Sequence, residues 1–375
     1  MKKRRKEVVQ ESAEARSVYC VVGAGNGGMA MAAHLGVMGF RVRLFNRTDE
    51  HLEGVRWHGG IKVEGEVEGF GPVELATSSM EEALEGVDIA MVVTPSTAHR
   101  GLASLMAPHL RDKQIVVLNP GRTGGALEFL KQIREDGLIG KPIIAEVQTF
   151  LYASRALSRY EAKIFRIKNE VPLAALPAHQ TAEVLRRLEP AFPWFSPGGD
   201  VLSTSLENIG AVFHPALTIL NGGWIEATHG DFDYYSDGIT PSVALVLERI
   251  DAERLHVARL LGVRSVSSRE WLYQSYDSHG DDLCEAIKNT EAYRGIRAPV
   301  NLQHRYIWED VPMSLVPLSS LGKALGAPTP TIDLIIELAS ILHGRDYRAE
   351  GRTIESLGLA GLTVKEIRKL VDEEA

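Results

Sequence analysis

The chain has 375 residues, 45% of them hydrophobic and 24% charged, with a formal net charge of −8. That length predicts two domains with ample core, and the composition excludes a disordered chain. The acidic balance argues against nucleic acid as a partner, and no apolar run is long enough for a membrane span.

Residues 1–16 carry Lys2, Lys3, Arg4, Arg5 and Lys6 and read as a basic flexible tail. No apolar segment follows that start, so no secretory signal is expected. Cys20 and Cys284 lie far apart with no metal-like spacing, which suits reduced, buried thiols in a cytoplasmic protein.

Residues 17–22 (SVYCVV) read as a buried strand. GAGNGG follows at once, so that Gly23, Gly25 and Gly28 fit G-x-G-x-x-G with Asn26 in the same turn. A helical pattern then runs to Met38, Gly39 stops it, and Arg41–Phe45 reads as a second strand. The glycine pattern alone is a weak signal; strand, glycine turn, helix and strand in sequence make a dinucleotide-binding unit. In such a unit Gly23 makes the tight turn, Gly25 lets the backbone approach a pyrophosphate, and Gly28 lets helix and strand pack closely. The helix N-terminus offers free N–H groups and a positive dipole end to the phosphates.

The end of the second strand selects the cofactor. A carboxylate there would bind the ribose 2′-hydroxyl and repel a 2′-phosphate. This chain has Asn46, Arg47 and Thr48 instead, and no acid before Asp49. Arg47 can pair with a phosphate and stack on adenine, which favours NADP(H) over NAD(H). The other reading is that Arg47 only covers the adenine of NAD(H).

Residues 61–68 (IKVEGEVE) alternate about a glycine and predict a short hairpin inserted in this unit. Ser79 and Glu82 form a capping box for a short helix. Strands are expected at 88–93 and 114–118, leading into the turns TPSTAH, from Thr94, and NPGRTGG, from Asn119. Open α/β sheets bind ligands at the carboxyl ends of their strands, so Thr94, Pro95, Asn119 and Pro120 are expected on the nicotinamide side. Turn chemistry alone would explain the same four residues. Residues 142–147 continue the sheet, and the stretch to about Trp194 reads as a sheet extension and linker. Residues 17–200 therefore predict an α/β Rossmann domain with a doubly wound parallel sheet.

From about Ser203 the pattern is helical, with candidate helices at about 205–221, 241–262, 267–276, 281–290, 313–326, 331–343 and 363–373. Residues 201–375 predict an all-α substrate domain, with the active site in the cleft between the halves. In the first of these helices Ile209, Val212, Phe213, Ala216, Leu217 and Leu220 form an apolar face, and Glu207, His214, Thr218 and Asn221 lie opposite. Pro215 follows His214 inside that pattern, against local helix rules. Sequences tend to break such rules where function needs it, so His214 is a candidate acid/base. A surface histidine beside an incidental kink is the alternative.

RYIWEDVP, residues 305–312, reads as a loop between two helical segments. A carboxylate such as Asp310 can fix a histidine tautomer and stabilise its cation. Arg305 can clamp a substrate carboxylate with two hydrogen bonds. An Arg–Asp pair that only pins the loop is the alternative, and Glu309 reads as exposed or structural. No lysine occurs between Lys168 and Lys288, so the early helical half offers histidine, not lysine, for proton transfer. The twelve histidines form no H-E-x-x-H or Cys/His cluster, and no metal is expected.

GAGNGG, TPSTAH, NPGRTGGALEF, ENIGAVFHP, ITPSVALVLERIDAER, RYIWEDVP, LVPLSSLGKALGAPTP and RTIESLGLAGLT occur in order from about Tyr19 to Leu370. Together they resemble the opine dehydrogenases of the octopine/nopaline dehydrogenase superfamily, most of all the bacterial N-(1-carboxyethyl)-norvaline dehydrogenase type. The resemblance implies reductive condensation of a 2-oxo acid, typically pyruvate, with an amino acid or amine, NAD(P)H reducing the imine to a secondary amine. It matches the family's catalytic histidine to His214, its partner aspartate to Asp310 and its carboxylate-binding arginine to Arg305. It also implies a homodimer formed through the helical half. The norvaline-type relatives carry an aspartate where this chain has Asn46 and Arg47, and prefer NAD, so the departure again points to NADP(H). The runner-up is a histidine-dependent 2-oxo-acid or 2-hydroxy-acid dehydrogenase that needs no amine.

Overall fold

The computed structural model describes residues 17–373, so the basic tail expected over residues 1–16 lies outside them. The strands are β1 (Val18–Val22), β2 (Arg41–Phe45), β3 (Gly60–Gly65), β4 (Gly69–Pro72), β5 (Leu75–Thr77), β6 (Ile89–Val92), β7 (Ile115–Leu118) and β8 (Ile143–Val147). They continue with β9 (Tyr152–Ala156), β10 (Glu161–Ile167), β11 (Val171–Leu176) and β12 (Phe195–Pro197). Eight of them form one sheet in the order β12-β11-β8-β7-β6-β1-β2-β5. Neighbours are parallel except where β11 runs against β8. Every residue of β1, β6, β7 and β8 is buried, as expected of central strands covered on both faces.

The expected hairpin is β3–β4, but it belongs to a second sheet, β4-β3-β10-β9. The segment read as a linker supplies β9 and β10, and β10 pairs in parallel with β3. This sheet covers the outer side of the first helix, Asn26–Val37, whose residues Gly28–Gly36 are all buried. Small side chains permit that approach: a Cβ on Gly71 would lie 2.2 Å from the carbonyl oxygen of Ala33. The helix is thus gripped on both faces, which fixes the position of its N-terminus.

Past β12 every regular element is helical, from Val201–Leu206 to Val364–Glu373. Two expectations need correction here. The helix read over 205–221 is two helices, Val201–Leu206 and Ile209–Leu220, broken at Glu207–Asn208, and the second tolerates Pro215 within it. The segment 305–312 is not a loop. Arg305–Trp308 forms a helical turn, and Val311–Leu315 forms a π-helical turn that runs into the helix Val316–Leu325.

Prolines explain the π turn. Pro317 has no N–H to offer the carbonyl of Met313, and that carbonyl instead accepts from Thr123 N at 3.2 Å. The N–H of Val316 reaches back to Val311, leaving the carbonyl of Pro312 to accept from Arg352 N at 3.0 Å. Backbone groups released from the helix therefore hold the NPGRTGG turn and the 352 segment, and so dock the two halves of the molecule. Such π turns occur often at functional sites.

Candidate active site

The glycine turn has the geometry its sequence implies. Gly23 sits at φ +114°, and a Cβ there would lie 2.5 Å from the carbonyl oxygen of Val93. A Cβ on Gly28 would lie 1.7 Å from the carbonyl oxygen of Gly23, so only glycine lets helix and turn meet. Beside Gly25 there is open space: a Cβ would meet nothing within 4 Å. Gly25 caps the buried helix, and no side chain bonds the first N–H groups there.

The residues flanking the turn act differently from one another. Asn46 accepts from Ala24 N at 3.2 Å through its side-chain oxygen and donates to the carbonyl and hydroxyl oxygens of Thr48 at 3.0 Å. It braces the turn. Asn26 accepts from Ala156 N at 2.9 Å, tying the helix start to β9. Arg47 and Thr48 are exposed.

At the carboxyl ends of β6 and β7 two buried polar atoms lack partners, Oγ1 of Thr94 and Oδ1 of Asn119. The amide nitrogen of Asn119 is held by the carbonyl of Val117 at 2.8 Å. An unpartnered buried polar atom costs about 1–3 kcal/mol, and a polar ligand at this edge relieves it. The open space at Gly25 and these two atoms fit a nicotinamide dinucleotide. Pro95 is exposed in its turn and Pro120 is buried; neither has a side-chain polar group to offer.

The structure brings His214 and Asp310 together across 96 residues of chain. His214 Nδ1 lies 2.8 Å from Asp310 Oδ2. The imidazole stacks on Tyr306 with ring centres 4.0 Å apart, and its Nε2 has no partner among the described residues. The His214 carbonyl accepts from Thr218 Oγ1 at 2.6 Å and from the Tyr234 hydroxyl at 3.1 Å, which steadies the helix beside Pro215.

Asp310 is wholly buried. Burial alone would raise its pKa, but Arg122, His214 and Arg305 outweigh that and hold its carboxyl below the usual range. Arg122 Nη1 stands 3.0 Å from Asp310 Oδ1, an ion pair without a hydrogen bond's alignment. The same guanidinium reaches Glu309 at 3.7 Å and the side-chain oxygen of Asn208 at 3.3 Å. Sequence reasoning passed over Arg122. Its signal was a lone cation in a glycine-rich turn at a strand end, where it adopts a left-handed φ of +60°.

Glu309 is buried and structural. It accepts from Ser96 N at 3.0 Å and Ser96 Oγ at 3.1 Å, and from Arg305 Nε at 2.9 Å and Nη2 at 2.6 Å. This corrects the expectation for Arg305: its Nε–Nη2 edge is taken by Glu309, not left for a substrate. The side chain is still 48% exposed, with Nη1 uncommitted among the described residues. Arg352 was also missed. It is fully buried, pairs with Glu128 at 2.7 Å, and donates to the carbonyls of Gly121 and Thr123 and to His99 Nδ1. It thereby ties both ligand-side turns to the C-terminal segment.

The helical half, residues 197–343, matches the family model described as NAD/NADP octopine/nopaline dehydrogenase, alpha-helical domain. Residues 19–145 match that of the NAD-dependent glycerol-3-phosphate dehydrogenase N-terminus. The chain is 39% identical over 355 residues to the opine dehydrogenase of Arthrobacter sp. (strain 1C), covering 94% of this chain and 98% of that one. The chain belongs to the opine dehydrogenase family. It is also 25% identical over 311 residues to the octopine dehydrogenase of Pecten maximus, covering 74% and 75% of the two chains. The fold of this opine dehydrogenase is that of an octopine dehydrogenase solved with NADH and L-arginine, with a TM-score of 0.77 at 21% identity over 96% of this chain and 98% of that one. A yersinopine dehydrogenase solved with NADP+ gives 0.70 at 15% identity over the same shares. The protein is accordingly an NAD(P)-dependent oxidoreductase with a Rossmann half and a helical half. Among the described residues no helix is long and apolar enough to cross a membrane, and no cluster of His, Cys, Asp or Glu could hold a metal ion.

Proposed function

We propose that this opine dehydrogenase uses His214 as its general acid/base and Asp310 as the group that orients it, in the reductive condensation of a 2-oxo acid with the amino group of an amino acid. The hydrogen bond of 2.8 Å between His214 Nδ1 and Asp310 Oδ2, with Nε2 left without a partner, carries this reading. Asp310 holds the Nδ1 proton, so Nε2 is the atom that exchanges protons with the substrate. The amine adds to the 2-oxo carbon, and His214 Nε2–H protonates the hydroxyl that leaves as water. When bound at the glycine turn, NAD(P)H would supply the hydride for the resulting C=N carbon. Arg305, half-exposed at the mouth of the site, offers its uncommitted edge to a substrate carboxylate. Tyr306 covers one face of the imidazole and limits its motion.

Gly23, Gly25, Asn26 and Gly28 form the cofactor's phosphate cradle, and Thr94 and Asn119 meet its nicotinamide half. Pro95 and Pro120 shape those turns, and Asn46 and Thr48 shape the adenosine end. Arg47, exposed with no carboxylate partner among the described residues, favours NADPH. Pyruvate is the proposed 2-oxo acid. The domains are divided near residue 200, and a cytoplasmic homodimer is the proposed working form.

The deciding assay follows NAD(P)H oxidation with pyruvate alone and then with a panel of amino acids. Oxidation should appear only when the amine is present; amine-independent oxidation overturns the condensation. His214→Ala should abolish most turnover and leave NADPH affinity nearly intact. Full activity in that variant removes His214 from the mechanism.

A further inference from the structure

The segment after β8 lies at the meeting point of the two halves. Gln148 donates to the backbone and side-chain oxygens of Glu207 at 3.3 and 3.2 Å, at the corner that leads into the His214 helix. Phe150 packs over Gly27 of the cofactor turn, so close that a Cβ on Gly27 would lie 2.7 Å from its ring. Thr149 stands between these two residues. It lies next to the Arg122 turn, because Gly121 N bonds the carbonyl of Val147.

A lysine reaches into this place. Lys168, just past β10, bonds Leu151 through its backbone and donates from Nζ to Thr149 Oγ1 at 2.7 Å. Among the described residues no carboxylate lies within ion-pair distance of that ammonium. Every other cation near the His214 site has one: Arg122 has Asp310, and Arg305 has Glu309. Burial, helped by the field of Arg122, pushes Lys168 down to about 8. An unpaired, partly desolvated ammonium is stabilised by an anion that comes within its reach.

The proposed reaction joins two molecules that each bear a carboxylate, and Arg305 with one edge already taken can hold only one of them. We propose that Lys168, steadied by Thr149, binds a substrate carboxylate on the sheet side of the cleft, opposite Arg305 on the helical side. This assignment rests on the condensation proposed above. It also places a lysine at the site after all, delivered from the sheet half and not from the early helical segment where the sequence lacks one.

The test compares K168Q and K168R with the wild type, using pyruvate and whichever amino acid gives the fastest turnover, with a thermal melt to show folding. K168Q should raise KM for at least one of the two carboxylate substrates roughly 10- to 100-fold. It should leave the Kd for NADH, read by its fluorescence, within about twofold, and K168R should recover most of the loss. KM values that stay put for both substrates, with or without a fall in kcat, overturn the assignment. So does a change confined to NADH. Titrating pyruvate and the amino acid into the enzyme–NADH complex repeats the comparison without turnover. A wild type that binds both but does not condense them would sink the proposed reaction and leave Lys168 to be judged by binding alone.

Discussion

Asp310→Asn isolates the element on which the proposed chemistry turns. The side chain keeps its shape and loses its charge. In the wild type one carboxylate oxygen accepts from His214 at 2.8 Å while the other faces Arg122 at 3.0 Å. The amide can present its NH2 to His214 Nδ1 and force the proton onto the wrong nitrogen. It also removes the counterion for the imidazolium that forms when His214 holds two protons. General acid/base contributions run at about 10²- to 10⁴-fold, and a carboxylate-to-amide change behind a catalytic histidine reaches about 10⁴. At about 1.4 kcal/mol per tenfold, the loss corresponds to about 3–6 kcal/mol of transition-state stabilisation. The amide oxygen can still face Arg122, so folding should survive with a small drop in Tm. The assay is steady-state kcat with saturating pyruvate, amino acid and NADPH, alongside NADPH Kd by fluorescence. A kcat within about threefold of wild type would refute the role given to Asp310. A parallel loss of NADPH affinity would show that the substitution disturbs the cofactor half instead.

Two further outcomes are expected. Arg47→Asp places a carboxylate beside the adenosine end, and should raise KM for NADPH roughly 10- to 100-fold while leaving that for NADH unchanged or lower; an unchanged ratio of the two means that Arg47 does not read the 2′-phosphate. His34, buried on the first helix against the Tyr152 hydroxyl at 2.9 Å, is lowered by burial from 6.5 to about 4. Its neutral form belongs to the folded state, so its contribution to stability is complete above about pH 6.5 and drains away as pH falls towards 4. About 3 kcal/mol is at stake by linkage. His34→Gln should flatten that part of the stability profile in urea unfolding between pH 7 and 4.5, and profiles of equal steepness would contradict it.

Local chemistry wrote the glycine turn directly into the sequence. Gly23 and Gly28 are required by contacts within a few residues or with the adjoining strand end, so a short-range pattern exposes them. The same holds for the buried central strands, whose uninterrupted apolar runs follow from being covered on both faces. His214 stood out because Pro215 breaks a local rule, though nothing local could say what faced its ring.

What the sequence left open depends on long-range pairing. The second sheet was legible only as a hairpin and a linker, because its closing contact joins β3 to β10 across about a hundred residues. The segment 305–312 looked like a loop, with Pro312 at its end and Pro317 just beyond it marking a break; only the docking of Thr123 and Arg352 onto the released carbonyls turns that break into a π-helical turn. Glu309 and Lys168 gave no pattern of their own, and Arg122 only its place in a glycine-rich turn. A charge has meaning only through its neighbours, and folding decides whether a guanidinium finds a carboxylate, as Arg305 finds Glu309, or whether an ammonium is left with a hydroxyl alone, as Lys168 is with Thr149. The sequence alone thus determined the glycine turn and the fold class. Tertiary packing decided which charges are spent within the protein and which remain for a ligand.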